Sequence, residues 1–136
     1  MFLADFPEKF KFELVGSVAI NGDGKDIDYA ILVGEEGPDD IVQHLLANGF
    51  EANNHGYEGV NGEDDKFTSY KRGITNILVC TTIQAYNRFV KGAEICKYLR
   101  GLGVNMRDKR VRVAIHSMVS HGNMEQVIKD VGRVRD

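Results

Sequence analysis

VGSVAINGDGKDIDYAILV, residues 15–33, decides the fold. Ahead of it, FKFELV (Phe10 to Val15) alternates apolar and polar residues, with Phe10, Phe12 and Leu14 on one face, as a strand does. That strand runs into Gly16-Ser17. The glycine-rich AINGDGKD cannot hold a long helix. DIDYAILVG, Asp26 to Gly34, then ends in a near-continuous apolar run, the pattern of a central strand covered on both faces. Alternate strand residues point to one face, so Asp26 and Asp28 project side by side. Two such carboxylates repel unless a cation sits between them. Magnesium suits the place, because it takes hard oxygen ligands from one or two carboxylates plus phosphates. Glycine at 16 lets backbone approach a phosphate, and Ser17 adds a hydroxyl and an N–H as donors. A phosphate-holding turn beside a metal-holding carboxylate pair makes a phosphoryl or nucleotidyl transfer site. An isolated Asp-x-Asp or Gly-Ser carries little; their order between two strands carries the reading.

Outward from this stretch, EEGPDD is a turn, and Asp39 or Asp40 caps a helix through IVQHLLANG, with Gly49 at its end. FEANNHGYEGVNGEDD reads as a short strand and an exposed loop. KFTSYKRG and ITNILVCTT are two strands of a hairpin closed at Gly73. IQAYNRFVKGAEICKYLRGLGV is the longest helical pattern, with Phe89, Ala93, Cys96 and Leu99 at helical spacing. Asp108 opens a further helix over KRVRVAIHSMVSHGN, and the last ~15 residues form an amphipathic C-terminal tail. Strands and helices mix in one unit spanning residues 1–136, so the class is α/β (α+β).

VGSVAINGDGKDIDYAILV resembles the signature of the nucleotidyltransferase superfamily, the DNA polymerase beta-like fold. Eight residues separate Ser17 from Asp26, the short end of the family's spacing. The resemblance implies a mixed sheet flanked by helices. It also implies that Gly16 and Ser17 hold a nucleoside triphosphate (NTP) and that Asp26 and Asp28 hold Mg2+. The run FTSYKRGITNILVCTTIQAYNRFVKGAEICKYLRGLG is similar to small phage nucleotidyltransferase-like proteins, at Phe67, Ser69, Tyr70, Asn76, Leu78, Val79, Arg88, Phe89, Cys96 and Lys97. The superfamily carries a third carboxylate on the strand held here by Ile74 to Thr81. Here that position is Asn76, which offers a neutral oxygen but is no base. Glu63, Asp64 and Asp65 are alternative acidic donors from the preceding loop. Around this site, Lys25 either offsets repulsion in the Asp pair or contacts a phosphate. Lys71 and Arg72 either hold phosphates or form a solvated hairpin tip. Arg88 and Lys91 face solvent or a substrate groove. KRVRV near residue 110 is the strongest basic cluster, and reads first as a solvated helix face.

The expected function is magnesium-dependent transfer of a nucleoside monophosphate from an NTP to a protein, an RNA end or a small molecule. Asp26, Asp28 and Asn76 are its candidate catalytic residues. The alternative, prompted by Asn76, is a catalytically degenerate protein of the same fold that binds a nucleotide or a host protein as a phage accessory factor. Composition limits other classes. Of 136 residues, 15 are glycine and 2 proline, with no Gly-x-x repeat, which excludes collagen and polyproline. An apolar share of 43% excludes bulk disorder, and a net charge of −3 argues against a general nucleic-acid coat. Cys80 and Cys96 lie in apolar runs without metal spacing. His116 and His121, five apart, do not make a zinc pair. No run approaches transmembrane length, and the start lacks a secretory pattern, so the expected place is the cytoplasm (a host's, if phage-encoded). The length leaves room for a minimal core alone, so acceptor recognition is expected from the last two helices or a second chain.

Overall fold

The computed structural model describes residues 6–34, 37–53 and 66–134. The loop acids Glu63, Asp64 and Asp65 lie outside the described residues. Five strands, β1 (Glu13–Val15), β2 (Ile27–Leu32), β3 (Glu51–Ala52), β4 (Phe67–Arg72) and β5 (Thr75–Cys80), form one sheet in the order β1-β2-β5-β4-β3. Its centre is the parallel pair β2–β5, with Asp28 opposite Asn76; the other pairings are antiparallel. A parallel pair needs a crossover between its strands, and here the chain passes through α2 (Asp39–Ala47), β3 and β4 before β5. Among the described residues, five helices accompany the sheet: α1 (Gly16–Asn21), α2, α3 (Ile83–Gly101), α4 (Lys109–His121) and α5 (Met124–Gly132).

Both sheet faces are covered, as the apolar runs of β2 and β5 require. On one face Ile31, Ile77 and Val79 meet Ile41 and Leu45 of α2, together with Phe6 and Phe50. On the other, Val15, Ala30, Leu78 and Cys80 meet Ala85 of α3. A third cluster, Ile20, Ala93, Cys96 and Met106, joins α1, α3 and the start of α4. Burying one such large side chain stabilises by about 1.5–3 kcal/mol. No helix among the described residues is long and apolar enough to cross a membrane.

The structure departs from the sequence reading at element ends. The alternating segment from Phe10 pairs as a strand only over Glu13–Val15. Phe10 and Phe12 instead join an aromatic cluster, with Phe6–Phe12 and Phe10–His44 centroids both 5.3 Å apart. The glycine-rich link holds a helix after all, but a short one, α1, ended by Gly22 at φ +82°. Helix α2 begins after Pro38 without a side-chain cap, and Asp40 pairs with Lys9. Asp108 does cap α4, accepting from Arg110 N at 2.9 Å. The C-terminal amphipathic segment forms α5, which packs on α4 and buries Val127 and Asp130.

Candidate functional site

Strand β1 delivers the chain to Gly16, whose φ of +72° lies in the left-handed region that favours glycine. Space enforces the same choice. A Cβ at Gly16 would collide with Asp28 Oδ2 and come within 3.2 Å of Asp28 Cβ and Cγ. The phosphate turn read from Gly16-Ser17 and the carboxylate read from Asp26-Ile27-Asp28 are therefore in direct contact. A Cβ at Gly24 would likewise collide with Ser17 Oγ and stand 3.1 Å from Ser17 Cβ, so the second glycine of the link closes over the serine.

Register carries the rest. Because β2 and β5 run parallel with Asp28 facing Asn76, Asn76 Nδ2 donates to Asp28 Oδ1 at 2.9 Å. Asn76 Oδ1 is buried with no hydrogen-bond partner among the described residues. On the next strand Lys71 lies opposite Asn76, and its Nζ is 3.9 Å from Asp26 Oδ1. Burial pushes the Asp28 carboxyl above its ordinary range, and the Asp26 charge adds to the rise. The bond from Asn76 and the Lys71 cation only partly offset it. The cation beside the acidic pair is thus Lys71, from across the sheet. Arg72, its neighbour in sequence, points to the opposite face. Its guanidinium lies 4.8 Å from the Phe50 ring centroid and donates to Asn48 O at 2.7 Å. The two-residue period of a strand separates the pair. The structure therefore does not bring Arg72 to the other site residues.

Gly16, Ser17, Lys25, Asp26, Asp28 and Asn76 line one cavity of about 980 Å³ between the sheet and the helical side of the molecule. Its far wall comes from residues the sequence reading passed over or left open: Arg88 and Phe89 of α3, Arg107 before α4, Lys109, Arg112 and His116 of α4, Asp130 of α5 and Arg133 just after it. Six cationic side chains line it against four acidic ones, in a chain whose net charge is −3. Positive charge is concentrated where the site is. Lys91 is exposed and does not line the cavity. The missed signal was in KRVRVAIH: counted from Lys109, the residue after the cap, Lys109, Arg112, Val113 and His116 fall at i, i+3, i+4 and i+7, on one helix face.

This wall is tied in place. Asp130 is 4% exposed and accepts from Ser117 Oγ at 2.6 Å, Gln126 Nε2 at 2.9 Å and Arg133 at 3.0 Å, with Arg88 3.6 Å away. Burial pushes its carboxyl up, but the bonds from Ser117 and Gln126 and the Arg88 charge outweigh that and hold it below its ordinary range. Arg112 donates to Met106 O at 2.7 Å, and Arg107 grips Asp23 of the glycine-rich link at 2.5 and 3.3 Å. His116 Nδ1 sits 2.6 Å from Arg112 O, and burial pushes its imidazole down to about 4, so it is neutral at pH 7. Arg88 and Arg112 are charged neighbours that also oppose its protonation.

The donor set fits magnesium. Asp28 stands on β2, Asp26 lies in the bend just before that strand, and the buried Asn76 oxygen, without a hydrogen-bond partner among the described residues, is a further hard donor. Among the described residues, none of the cavity's carboxylates lies on β5, where a third acidic ligand was sought.

No protein-family model and no curated protein sequence matches the chain. Among solved structures, the crystal structure of conserved protein GrpB from Enterococcus faecalis is similar over 96% of this chain and 80% of that one. The TM-score is 0.56 and the identity 15%. At that identity the likeness speaks for the fold. The chain shares that structure's mixed α+β fold, here a five-stranded mixed sheet flanked by helices among the described residues.

Proposed function

We propose that the protein is a minimal, magnesium-dependent nucleotidyltransferase. It would move a nucleoside monophosphate from an NTP to the hydroxyl or phosphate of an acceptor, with release of pyrophosphate. One observation carries the reading: Gly16 is pressed against Asp28, in a cavity whose opposite wall is cationic. A turn built to approach phosphates, a carboxylate pair and a basic wall then face one volume, as transfer between phosphates requires.

Asp26 and Asp28 would hold Mg2+, with the Asn76 oxygen as a neutral third donor. The metal would supply charge neutralisation at the transferring phosphate and pyrophosphate. Gly16 N–H and the Ser17 hydroxyl bind outer phosphate oxygens. Lys25 and the wall cations Lys109 and Arg112 hold the triphosphate against repulsion from the Asp pair. Lys71, 3.9 Å from Asp26, places a cation beside the pair before substrate arrives. The rigid Asp130 network holds Arg88 and Arg133 at the cavity edge. The acceptor enters past the last two helices, which are the cavity's outer wall; its class is a protein, an RNA end or a small molecule. The buried cysteines Cys80 and Cys96, which form no disulfide, suit a reducing compartment such as the cytoplasm, a host's if the chain is phage-encoded.

Asn76 favours a second reading, in which the site binds a nucleotide without chemistry, since it cannot take a proton from an attacking hydroxyl. Incubating the chain with α-labelled NTP, Mg2+ and cell lysate separates the two. Transferred label that disappears in Asp26→Asn/Asp28→Asn supports transfer. NTP binding without transfer supports the binding reading. Label that survives the double substitution overturns the residue assignment, and no NTP binding at all overturns both.

A further inference from the structure

The cavity has two chemically different ends. Asp28, Asn76 and Lys71 form one row across the sheet. Four residues further along β5, Cys80 faces Phe67 of β4, about 13 Å away by strand rise. There the lining is aromatic. Phe67 and Phe89 meet edge to face at 4.9 Å and 86°, and the Phe89 and His116 rings lie 6.3 Å apart at 58°. Leu78 is part of the floor beneath, and Val113 also lines the cavity.

These rings are more than core. Val15, Leu78 and Ala85 below them are buried, whereas Phe67, Phe89 and His116 are only half-buried and keep surface in the cavity. Gly92 of α3 makes room for the imidazole, since a Cβ there would stand 2.9 Å from His116 Cδ2. With Nδ1 donating to Arg112 O, the neutral ring keeps Nε2 as an acceptor. Open aromatic surface within reach of a phosphate and metal site calls for a planar, uncharged ring on the same ligand as the phosphates. A nucleobase is such a ring, because every base offers a π-face for stacking.

We propose that Phe67, Phe89 and His116 form the nucleobase seat of the bound nucleoside triphosphate, with its phosphates directed to Gly16, Ser17 and the Asp pair. The inference rests on the nucleotidyl-transfer reading and adds to it the half of the ligand that the phosphate-binding residues do not touch. Phe89 is the central contact, because it touches both other rings.

Calorimetric titration of the full chain in Mg2+, with ATP and with inorganic tripolyphosphate, tests this. The wild-type chain binds ATP about tenfold or more tighter than tripolyphosphate. Phe89→Leu, which keeps apolar volume but removes the ring, weakens ATP about tenfold and leaves tripolyphosphate unchanged. Equal affinity of the wild type for both ligands overturns the base seat and leaves the phosphate reading standing. Binding of neither overturns both. Equal weakening of both ligands by Phe89→Leu, or no weakening, also overturns the seat. Should Phe89→Leu fail to fold, Phe67→Leu on the sheet side makes the same comparison, with the same outcomes deciding.

Discussion

Gly16→Ala tests whether the turn and the carboxylate are built against each other. Two costs add at this position. An alanine at φ +72° sits in the left-handed region, at about 1–2 kcal/mol. Its Cβ also meets Asp28, which has little freedom to retreat because Asn76 holds its other oxygen at 2.9 Å. Turning the carboxylate away forfeits that charge-assisted bond, about 1.5–3 kcal/mol. The total is about 2.5–5 kcal/mol. With a melting entropy of roughly 0.3 kcal/mol/K for a chain of this length, Tm falls by about 8–17 °C. Gly22→Ala is the matched control: φ is +82°, and nothing lies within 4 Å of the added Cβ. It bears only the backbone cost and loses about 4 °C. Thermal denaturation of both variants, and of Gly16→Ala on an Asp28→Ala background, closes a double-mutant cycle. In that background the excess cost at residue 16 shrinks, because the colliding oxygen is gone. Equal losses in the two single glycine variants would refute the reasoning, as would an excess that persists without the Asp28 carboxylate.

Three further outcomes follow from the same geometry. Because burial raises the Asp28 pKa, its ionised form opposes folding, and this cost grows as pH rises from the unfolded value of about 3.8 through the folded one. Asp28→Asn therefore raises Tm at pH 7, by less at pH 4, while weakening Mg–ATP binding; a lower Tm at pH 7 contradicts this. His116 behaves in the opposite sense, its pKa depressed from 6.5 to about 4. The unfolded chain takes the proton first as pH falls, so stability is lost between those values, by on the order of 3 kcal/mol at most. Urea titrations at pH 7 and 4.5 should give a smaller loss for His116→Gln than for wild type; equal losses would place the acid sensitivity elsewhere. Arg72→Ala removes a guanidinium from the Phe50 ring and a donor from the end of α2, costing about 1 kcal/mol. Mg–ATP affinity stays unchanged, and a tenfold loss would return Arg72 to the site.

Much was legible because strand periodicity is local. The apolar run after Asp28 marks a strand covered on both sides, and the structure places it at the sheet's parallel centre, with Asp26 in the bend just before it. The same rule, applied to Lys71 and Arg72, would have parted them, since adjacent strand residues face opposite ways. Helix ends were less legible where caps compete: Asp40 pairs with Lys9 rather than capping α2, a contact spanning 31 residues of sequence.

The sequence by itself determined the order of strand, Gly16-Ser17 junction and acidic strand. Residue type and short spacing suffice for that, because each acts within one or two turns of chain. Only the tertiary structure decided what surrounds that site. Parallel pairing set Asn76 against Asp28 across 48 residues of sequence. Docking of α4 and α5 turned a basic stretch and an apparent tail into the opposite wall, with Asp130 holding it. Register and helix docking are set by the sum of many apolar contacts between distant segments, which no single window of sequence contains.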